Sequence, residues 1–294
     1  MSDILPGKTH LGHTSALLLM VATAVLWSTG GLMIKMVNCH PLAISGLRSA
    51  IACLFLLLII RRPRFTWSWP QLAGAASFTA TVIMFVLATR MTTAANAILL
   101  QYCAPIFVSL LGIWLLKEMV RPLDILTLVL VLAGLVLFFL DELSGSGFWG
   151  NVFGVLSGVS FACFFVFTRM DRNGPVIETI LLGNIATAVI GSPFVFVQPP
   201  DTTGWIVLVL LGVLQLGLPY ILYSAAIRHV TALEAILTCT IEPVLNPLWV
   251  LLFLGERPGT WAIVGGVIVL IAVTGRNVIT AVTARVADRP FDGT

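Results

Sequence analysis

Two stretches of the chain, TAANAILLQYCAPIFVSLLGIWLLKE at residues 93–118 and TALEAILTCTIEPVLNPLWVLLFLGE at residues 231–256, align without a gap at a separation of 138 residues. An apolar chain matches alanines and leucines by composition alone, but it does not place charged residues and prolines in the same register by chance. The pairs that carry the match are Arg90 with Arg228, Pro105 with Pro243, and Glu118 with Glu256. The sequence therefore predicts an internal duplication.

The composition places the duplicated unit in a membrane. Of the 294 residues, 59% are hydrophobic and only 10% are charged, whereas an ordinary soluble domain carries about 25% charged residues. One transmembrane helix needs about 20 apolar residues, so ten helices leave no room for a sizeable extramembrane domain. Apolar stretches recur near residues 15–37, 41–60, 68–89, 95–116, 122–140, 149–170, 176–197, 204–227, 232–253 and 260–281. We therefore predict an all-α integral membrane protein with ten transmembrane helices.

The number of helices in each copy determines whether the two copies cross the membrane in the same direction or in opposite directions. Five is odd, so the second copy must cross the membrane in the opposite sense to the first. The sequence thus predicts two inverted five-helix repeats around a central cavity, at residues 15–140 and 149–281, with tails at residues 1–14 and 282–294. Inverted repeats recur in secondary transporters, whose substrate lies near mid-membrane between the halves.

The basic residues predict the orientation, because cytoplasmic loops carry an excess of lysine and arginine. With the N-terminus inside, the outer loops contain only Arg90 and Arg257. The inside segments then contain twelve basic residues, namely Lys8, Arg61, Arg62, Arg64, Lys117, Arg121, Arg169, Arg172, Arg228, Arg276, Arg285 and Arg289. Both termini are therefore predicted to be cytoplasmic.

Glu242 is the clearest candidate for a functional group inside the membrane. It lies about 15 Å along the ninth span, where an ionisable residue usually faces a partner or a wet cavity. Thr238 and Asn246 follow the same helical stripe at a spacing of four residues. Two interpretations stay open: the carboxylate binds a substrate amine or exchanges a proton, or it is a structural group tied to helix ends or a neighbouring base.

Arg48 is the second candidate, because it lies about 10 Å inside the second span. Its fork of donors suits a substrate carboxylate, but we favour a structural or gating role, in which Arg48 pairs with Glu242 or with free carbonyls. Asn184 in the seventh span is either a cavity residue or a contact between helices.

The remaining candidates combine apolar surface with a polar end, which suits an amphipathic ligand. They are Trp27, Gln101, Tyr102, Phe165, Gln215, Tyr220 and Tyr223.

The sequence argues against other classes of protein. It contains no phosphate-binding loop, no His-Glu-x-x-His helix and no Gly-x-Ser-x-Gly turn. The five cysteines lie far apart, so neither a metal site nor a cofactor is predicted, and the scattered basic residues do not form a nucleic-acid surface. The expected partners are a small-molecule substrate and the lipid bilayer. The oligomeric state stays open, and a monomer is compatible with the sequence.

The chain resembles the drug/metabolite transporter superfamily, and in particular its ten-helix EamA-type exporters. The resemblance rests on Trp27-Ser-Thr-Gly-Gly, on Gly46-Leu-Arg48-Ser-Ala, and on the two repeat ends at residues 115–118 and 253–256. Among these exporters the chain looks most like aromatic amino acid exporters of bacterial inner membranes. The second copy departs from the first, with Cys163 in the place of Trp27 and Asn184 in that of Arg48, so we expect chemically unequal cavity halves.

Taken with the inverted repeat, the resemblance implies a secondary transporter that exports small metabolites, amino acids above all, by alternating access. The sequence does not decide between facilitated efflux and exchange for protons. The alternatives are export of another metabolite or drug class, an intramembrane enzyme, and a sensor or channel without saturable transport.

Overall fold

The computed structural model describes residues 11–92, 94–117, 121–142, 148–171, 174, 176–254 and 260–287, and within these ranges it is helical with no strand. The first part of the chain forms α1 (His13–Trp27), α2 (Gly30–Met36), α3 (Pro41–Ile60), α4 (Trp69–Met91), α5 (Ala94–Gln101), α6 (Ala104–Leu111) and α7 (Pro122–Glu142). The second part forms α8 (Phe148–Met170), α9 (Val176–Gly191), α10 (Thr202–Leu210), α11 (Leu218–Ala226), α12 (Ala232–Cys239), α13 (Glu242–Leu254) and α14 (Thr260–Ala287). Glu118, Glu256 and most of both predicted tails lie outside the described residues.

Several helical stretches are long and apolar enough to cross a membrane. The described residues contain seven of them, at His13–Met36, Pro41–Ile60, Trp69–Met91, Phe148–Met170, Val176–Phe196, Thr202–His229 and Glu234–Phe253. Shorter apolar helices occur at Ala104–Leu116 and Pro122–Gly134. The predicted all-helical membrane class is thus confirmed for the described part of the chain.

Two of the predicted spans are interrupted at equivalent places. Helix α5 ends at Gln101 and α6 begins at Ala104, while α12 ends at Cys239 and α13 begins at Glu242, so the interruptions are 138 residues apart. In both copies a proline occupies the second position of the new helix, where its missing N–H breaks no hydrogen bond. Pro105 and Pro243 therefore mark where each helix restarts.

The first span is also interrupted, between α1 and α2. The Ser28 hydroxyl donates to the Val25 carbonyl over 2.7 Å and accepts a hydrogen bond of 2.7 Å from Trp249 Nε1 on α13. The Thr29 hydroxyl donates to the Leu26 carbonyl over 2.8 Å. Side chains and a neighbouring helix thus satisfy the polar groups that the interruption exposes.

The eighth predicted span contains a wide turn and α14 ends later than predicted. Residues Leu211–Gly217 form a π-helical turn between α10 and α11, a geometry that often occurs at functional sites. Helix α14 continues to Ala287, which corrects the predicted boundary at residue 281. The physical reason is that the next helix-breaking residue in the sequence is Pro290.

Helix α8 packs closely against the interruption between α5 and α6. Gly158 permits this approach, because a Cβ atom there would lie 2.6 Å from the Gln101 carbonyl oxygen and 2.7 Å from Cys103 Sγ. Gly112, at the start of a π-helical turn that follows α6, has open space at the same position.

Two arginines hold equivalent loops. Arg90, near the end of α4, donates to the Val37 carbonyl over 3.3 Å in the loop between α2 and α3. Arg228, which follows α11, donates to the Gly174 carbonyl in the loop between α8 and α9. The two arginines are 138 residues apart, as are the helix interruptions.

Candidate functional site

A small polar cavity lies in the middle of the helix bundle, between elements of both halves of the chain. The centres of water-sized molecules can occupy about 30 Å³ of it, which is room for about two water molecules. Its lining consists of Trp27, Arg48, Thr81, Val82, Phe85, Gln101, Phe161, Gln215, Leu216, Tyr220 and Glu242. An amino acid therefore needs the bundle to open before it can enter.

Most of the polar lining comes from places where a helix is interrupted. Trp27 is the last residue of α1, Gln101 is the last residue of α5, and Glu242 is the first residue of α13. Gln215 lies in the π-helical turn between α10 and α11. Interrupted helices in a membrane bring backbone polar groups and side chains to one depth, and transporters use them to bind substrates and ions.

Glu242 is buried and held by a tyrosine. The Tyr102 hydroxyl oxygen lies 2.7 Å from Glu242 Oε2 and 2.6 Å from the Cys239 carbonyl oxygen. Tyr102 is the first residue of the interruption between α5 and α6, whereas Cys239 and Glu242 flank the interruption between α12 and α13. The two interruptions therefore meet through this hydroxyl group.

Arg48 is buried and also belongs to the cavity lining. Its Nη1 donates to Gln215 Oε1 over 3.2 Å and its Nη2 donates to the Val82 carbonyl over 3.5 Å, while its Nε has no hydrogen-bond partner. Arg48 and Glu242 are both described, and they do not form an ion pair with each other. A buried guanidinium group with an unused donor suits an acceptor such as a ligand carboxylate.

An aromatic cluster borders the charged part of the cavity. The Trp27 ring lies 5.0 Å from that of Tyr220 and 5.6 Å from that of Phe161, measured between ring centroids. Trp27 Nε1 is buried without a hydrogen-bond partner. The cluster offers a flat apolar contact beside an N–H donor, a combination that suits an aromatic or amphipathic ligand.

Gln101 is held by a short chain of hydrogen bonds. Its Nε2 donates to the Ser157 hydroxyl over 2.8 Å, and that hydroxyl donates to the Thr81 carbonyl over 3.2 Å. Helix α8 thus positions the amide that ends α5.

The structure brings six of the twelve predicted site residues to the cavity lining. These are Trp27, Arg48, Gln101, Gln215, Tyr220 and Glu242. The predicted residues outside the lining are Tyr102, Phe165, Asn184, Tyr223, Thr238 and Asn246.

The six residues outside the lining are all buried. Tyr102 lies behind Glu242, as described above. The Tyr223 hydroxyl lies 2.6 Å from Thr168 Oγ1, and the Phe165 ring packs against the Tyr223 ring at 5.2 Å. These two aromatic residues therefore contribute to the packing next to the cavity.

Two of the three polar candidates in this group donate hydrogen bonds to backbone carbonyls. The Thr238 hydroxyl donates to the Glu234 carbonyl over 2.8 Å, and Asn184 Nδ2 donates to the Ile180 carbonyl over 3.0 Å. Asn246 packs against Gly31, where a Cβ atom would lie 2.7 Å from the asparagine Nδ2.

Five lining residues were not predicted. They are Thr81, Val82, Phe85, Phe161 and Leu216. Thr81 and Phe85 are four residues apart on α4, as are Phe161 and Phe165 on α8, so helical spacing would have grouped them. Nothing in their residue types marks them as cavity residues, because apolar side chains also face lipid.

Comparison with known proteins shows that the chain is similar to transporters. The sequence profile described as "EamA-like transporter family" matches residues 14–140 and again residues 148–277. An uncharacterized transporter of Archaeoglobus fulgidus is 29% identical over 261 residues, which cover 86% of this chain and 93% of that protein. A solved crystal structure shares the fold with a TM-score of 0.72 at 20% identity, covering 94% of this chain and 99% of the other.

These matches point to transport and not to an enzyme, and they agree with the apolar helices of a multi-pass membrane protein. Because the family profile covers most of the sequence, twice in succession, the chain belongs to the EamA-like transporter family.

Proposed function

We propose that this transporter exports small metabolites, and amino acids in the first place, by alternating access through the central cavity. The observation that carries the proposal is that a buried guanidinium group and a buried carboxyl group line one cavity without pairing with each other. A zwitterion presents both opposite charges. Its carboxylate would contact Arg48, its amino group would contact Glu242, and its side chain would lie against Trp27.

The proposal includes the finer architecture: ten spans arranged as two inverted five-helix repeats. Three observations support it. The helix interruptions fall at equivalent residues, the arginines near the ends of α4 and α11 hold equivalent loops, and the family profile matches each half separately. Five spans in each half give the halves opposite directions, and the distribution of basic residues favours cytoplasmic termini. The resemblance to bacterial exporters favours the inner membrane.

Transport energy comes from a gradient, either that of the substrate or that of protons. A tyrosine hydroxyl donates one proton, so Tyr102 can donate either to the Cys239 carbonyl or to Glu242. Both short contacts are hydrogen bonds when the Glu242 carboxyl group is protonated and donates to the Tyr102 oxygen. An incoming amine that displaces this proton would link export to proton uptake.

The test is uptake into proteoliposomes with ligands that lack one charge. Radiolabelled phenylalanine, its decarboxylated amine and its deaminated acid would be compared, with and without a pH gradient. We expect saturable flux of phenylalanine and at least about tenfold less of either analogue. The variant Arg48→Gln should remove most phenylalanine flux, while Glu178→Gln, a carboxyl change outside the cavity, should not.

Flux of a panel of other amino acids then gives the substrate range. Flux without the pH gradient would identify facilitated export, and flux only with it would identify proton coupling. No flux of any amino acid, or equal flux of the two analogues and phenylalanine, would contradict the proposed substrate class.

A further inference from the structure

Four ionisable side chains come together at one end of the bundle, away from the cavity. His13 begins α1, Asp124 lies in the first turn of α7, Glu234 lies in the first turn of α12, and Arg276 lies in α14. Arg276, Asp124 and Glu234 expose only 4%, 5% and 7% of their surface. Fully buried Ala16, one turn along α1 from His13, marks this end as tightly packed.

Arg276 connects the two carboxylates. Its Nη2 and Nε lie 2.7 Å and 3.0 Å from Asp124 Oδ1, and its Nη1 lies 3.4 Å from Glu234 Oε1. His13 Nε2 lies 3.3 Å from Glu234 Oε1. The cluster therefore joins α1 and α7 of the first half to α12 and α14 of the second half.

Each carboxylate also has a local role that does not need the cluster. Asp124 Oδ2 accepts from the Arg121 backbone N–H over 3.0 Å, and Glu234 Oε2 accepts from the Thr231 N–H over 2.9 Å. These bonds cap helix starts, and a neutral amide in the place of Glu234 preserves its part in the capping box. The charge of the cluster can thus be changed without removing the cap.

The duplication does not repeat the ionisable residues of the cluster at the aligned positions of the other copy. The residues 138 positions away from Asp124, Glu234 and Arg276 are Ala262, Asn96 and Phe138, and none of them is ionisable. In an inverted repeat these positions occupy the equivalent place on the other side of the membrane. At these aligned positions the two ends of the bundle therefore differ in charge.

We propose that the His13–Glu234–Arg276–Asp124 cluster is a one-sided latch that holds the cytoplasmic end of the transporter closed when no substrate is bound. The proposal rests on the proposed function, because it assumes that the two halves rock against each other. Opening toward the cytoplasm separates α1 and α7 from α12 and α14 and breaks buried ion pairs. Opening toward the other side breaks none of these, so the substrate-free protein prefers the state closed to the cytoplasm.

The test measures opening directly in lipid nanodiscs with a hydrophilic maleimide. In a background without the five native cysteines, Ala16→Cys reports on the latched end and Ala43→Cys, fully buried at the start of α3, reports on the opposite end. The latch is weakened with Glu234→Gln. The matched control is Glu178→Gln, another buried carboxyl group in the first turn of a helix at the same end.

We expect Glu234→Gln to raise the labelling rate of Ala16→Cys about tenfold, the change that corresponds to about 1.4 kcal/mol, and to leave that of Ala43→Cys unchanged or lower. Glu178→Gln should change neither rate. An unchanged rate at Ala16→Cys would overturn the latch. A rise at both reporters would also overturn it, because general loosening is not one-sided opening.

The labelling experiment needs no substrate, so it separates the two proposals. One-sided opening without transport of any solute would count against the export function and leave the latch standing. Saturable transport together with no effect of Glu234→Gln on labelling would count against the latch and leave the export function standing.

Discussion

Replacing Tyr102 with phenylalanine tests the contact that joins the two helix interruptions. The change removes one oxygen atom and keeps the ring. It leaves two buried groups, Glu242 Oε2 and the Cys239 carbonyl, without the partner that lies 2.7 Å and 2.6 Å from them. An unsatisfied buried polar group costs about 1–3 kcal/mol, so Tyr102→Phe should lower the free energy of unfolding by about 2–6 kcal/mol.

Tyr223→Phe is the matched control, since Tyr223 is also fully buried and its hydroxyl makes one short contact, 2.6 Å to Thr168 Oγ1. Thr168 keeps two other acceptors, the carbonyls of Phe164 at 2.7 Å and Phe165 at 3.2 Å. Tyr223→Phe should therefore lower the free energy of unfolding by only about 0.5–1.5 kcal/mol, the net value of one ordinary hydrogen bond.

The assay is reversible unfolding of the purified variants in mixed micelles of a mild and a denaturing detergent. The double variant Tyr102→Phe/Glu242→Gln should lose less free energy of unfolding than the two single variants lose together, because the effects of substitutions at contacting residues are not additive. Equal destabilisation by Tyr102→Phe and Tyr223→Phe would refute the assignment of Tyr102 as the link between the interruptions.

Three further predictions concern transport, packing and thiol chemistry. Glu242→Gln should abolish proton-linked export without preventing membrane insertion; unchanged uptake and unchanged pH dependence in proteoliposomes would remove Glu242 from the mechanism. Gly158→Ala should destabilise the folded protein by about 1–3 kcal/mol through overpacking, whereas Gly112→Ala should stabilise it by about 0.5–1 kcal/mol. Melting curves in which Gly158→Ala is the more stable variant would contradict the close packing of α8 against the interruption between α5 and α6. Burial raises the pKa of the Cys39 thiol, an effect that nearby Arg90 partly opposes, so a variant with Cys39 as its only cysteine should react slowly with maleimide at neutral pH and faster as the pH rises. A rate that does not change with pH would mean that access alone limits the reaction.

The sequence contained enough information for the helical membrane class, and six of its twelve candidate residues line the cavity. A polar residue in an apolar run is conspicuous, which is why Arg48 and Glu242 could be identified without a structure. Pro105 and Pro243 could have indicated where the repeated helices restart, because proline fits the first turn of a helix and not its interior, but each span was predicted as one continuous helix.

The stripe of Thr238, Glu242 and Asn246 shows where such reasoning fails. It assumes one continuous helix, but the interruption after Cys239 separates Thr238 from the other two residues. Helical periodicity cannot be carried across an interruption, so the facing of Thr238 relative to Glu242 was not predictable.

The latch cluster was missed for a different reason. Asp124 and Arg276 are 152 residues apart, and only the packing of α7 against α14 brings them together. When basic residues are counted to predict the orientation, Arg276 is simply one of the twelve assigned to the cytoplasmic side. Nothing local distinguishes a surface arginine near the end of a span from one that is buried against a carboxylate on another helix.

The small volume of the cavity has a consequence for the membrane in which the protein lies. Room for about two water molecules at mid-depth is far too little for a file of water across the roughly 30 Å hydrocarbon layer. Protons and small ions would need such a file to cross the bundle. This cavity therefore provides no continuous water path of its own by which protons or small ions could cross the described part of the bundle.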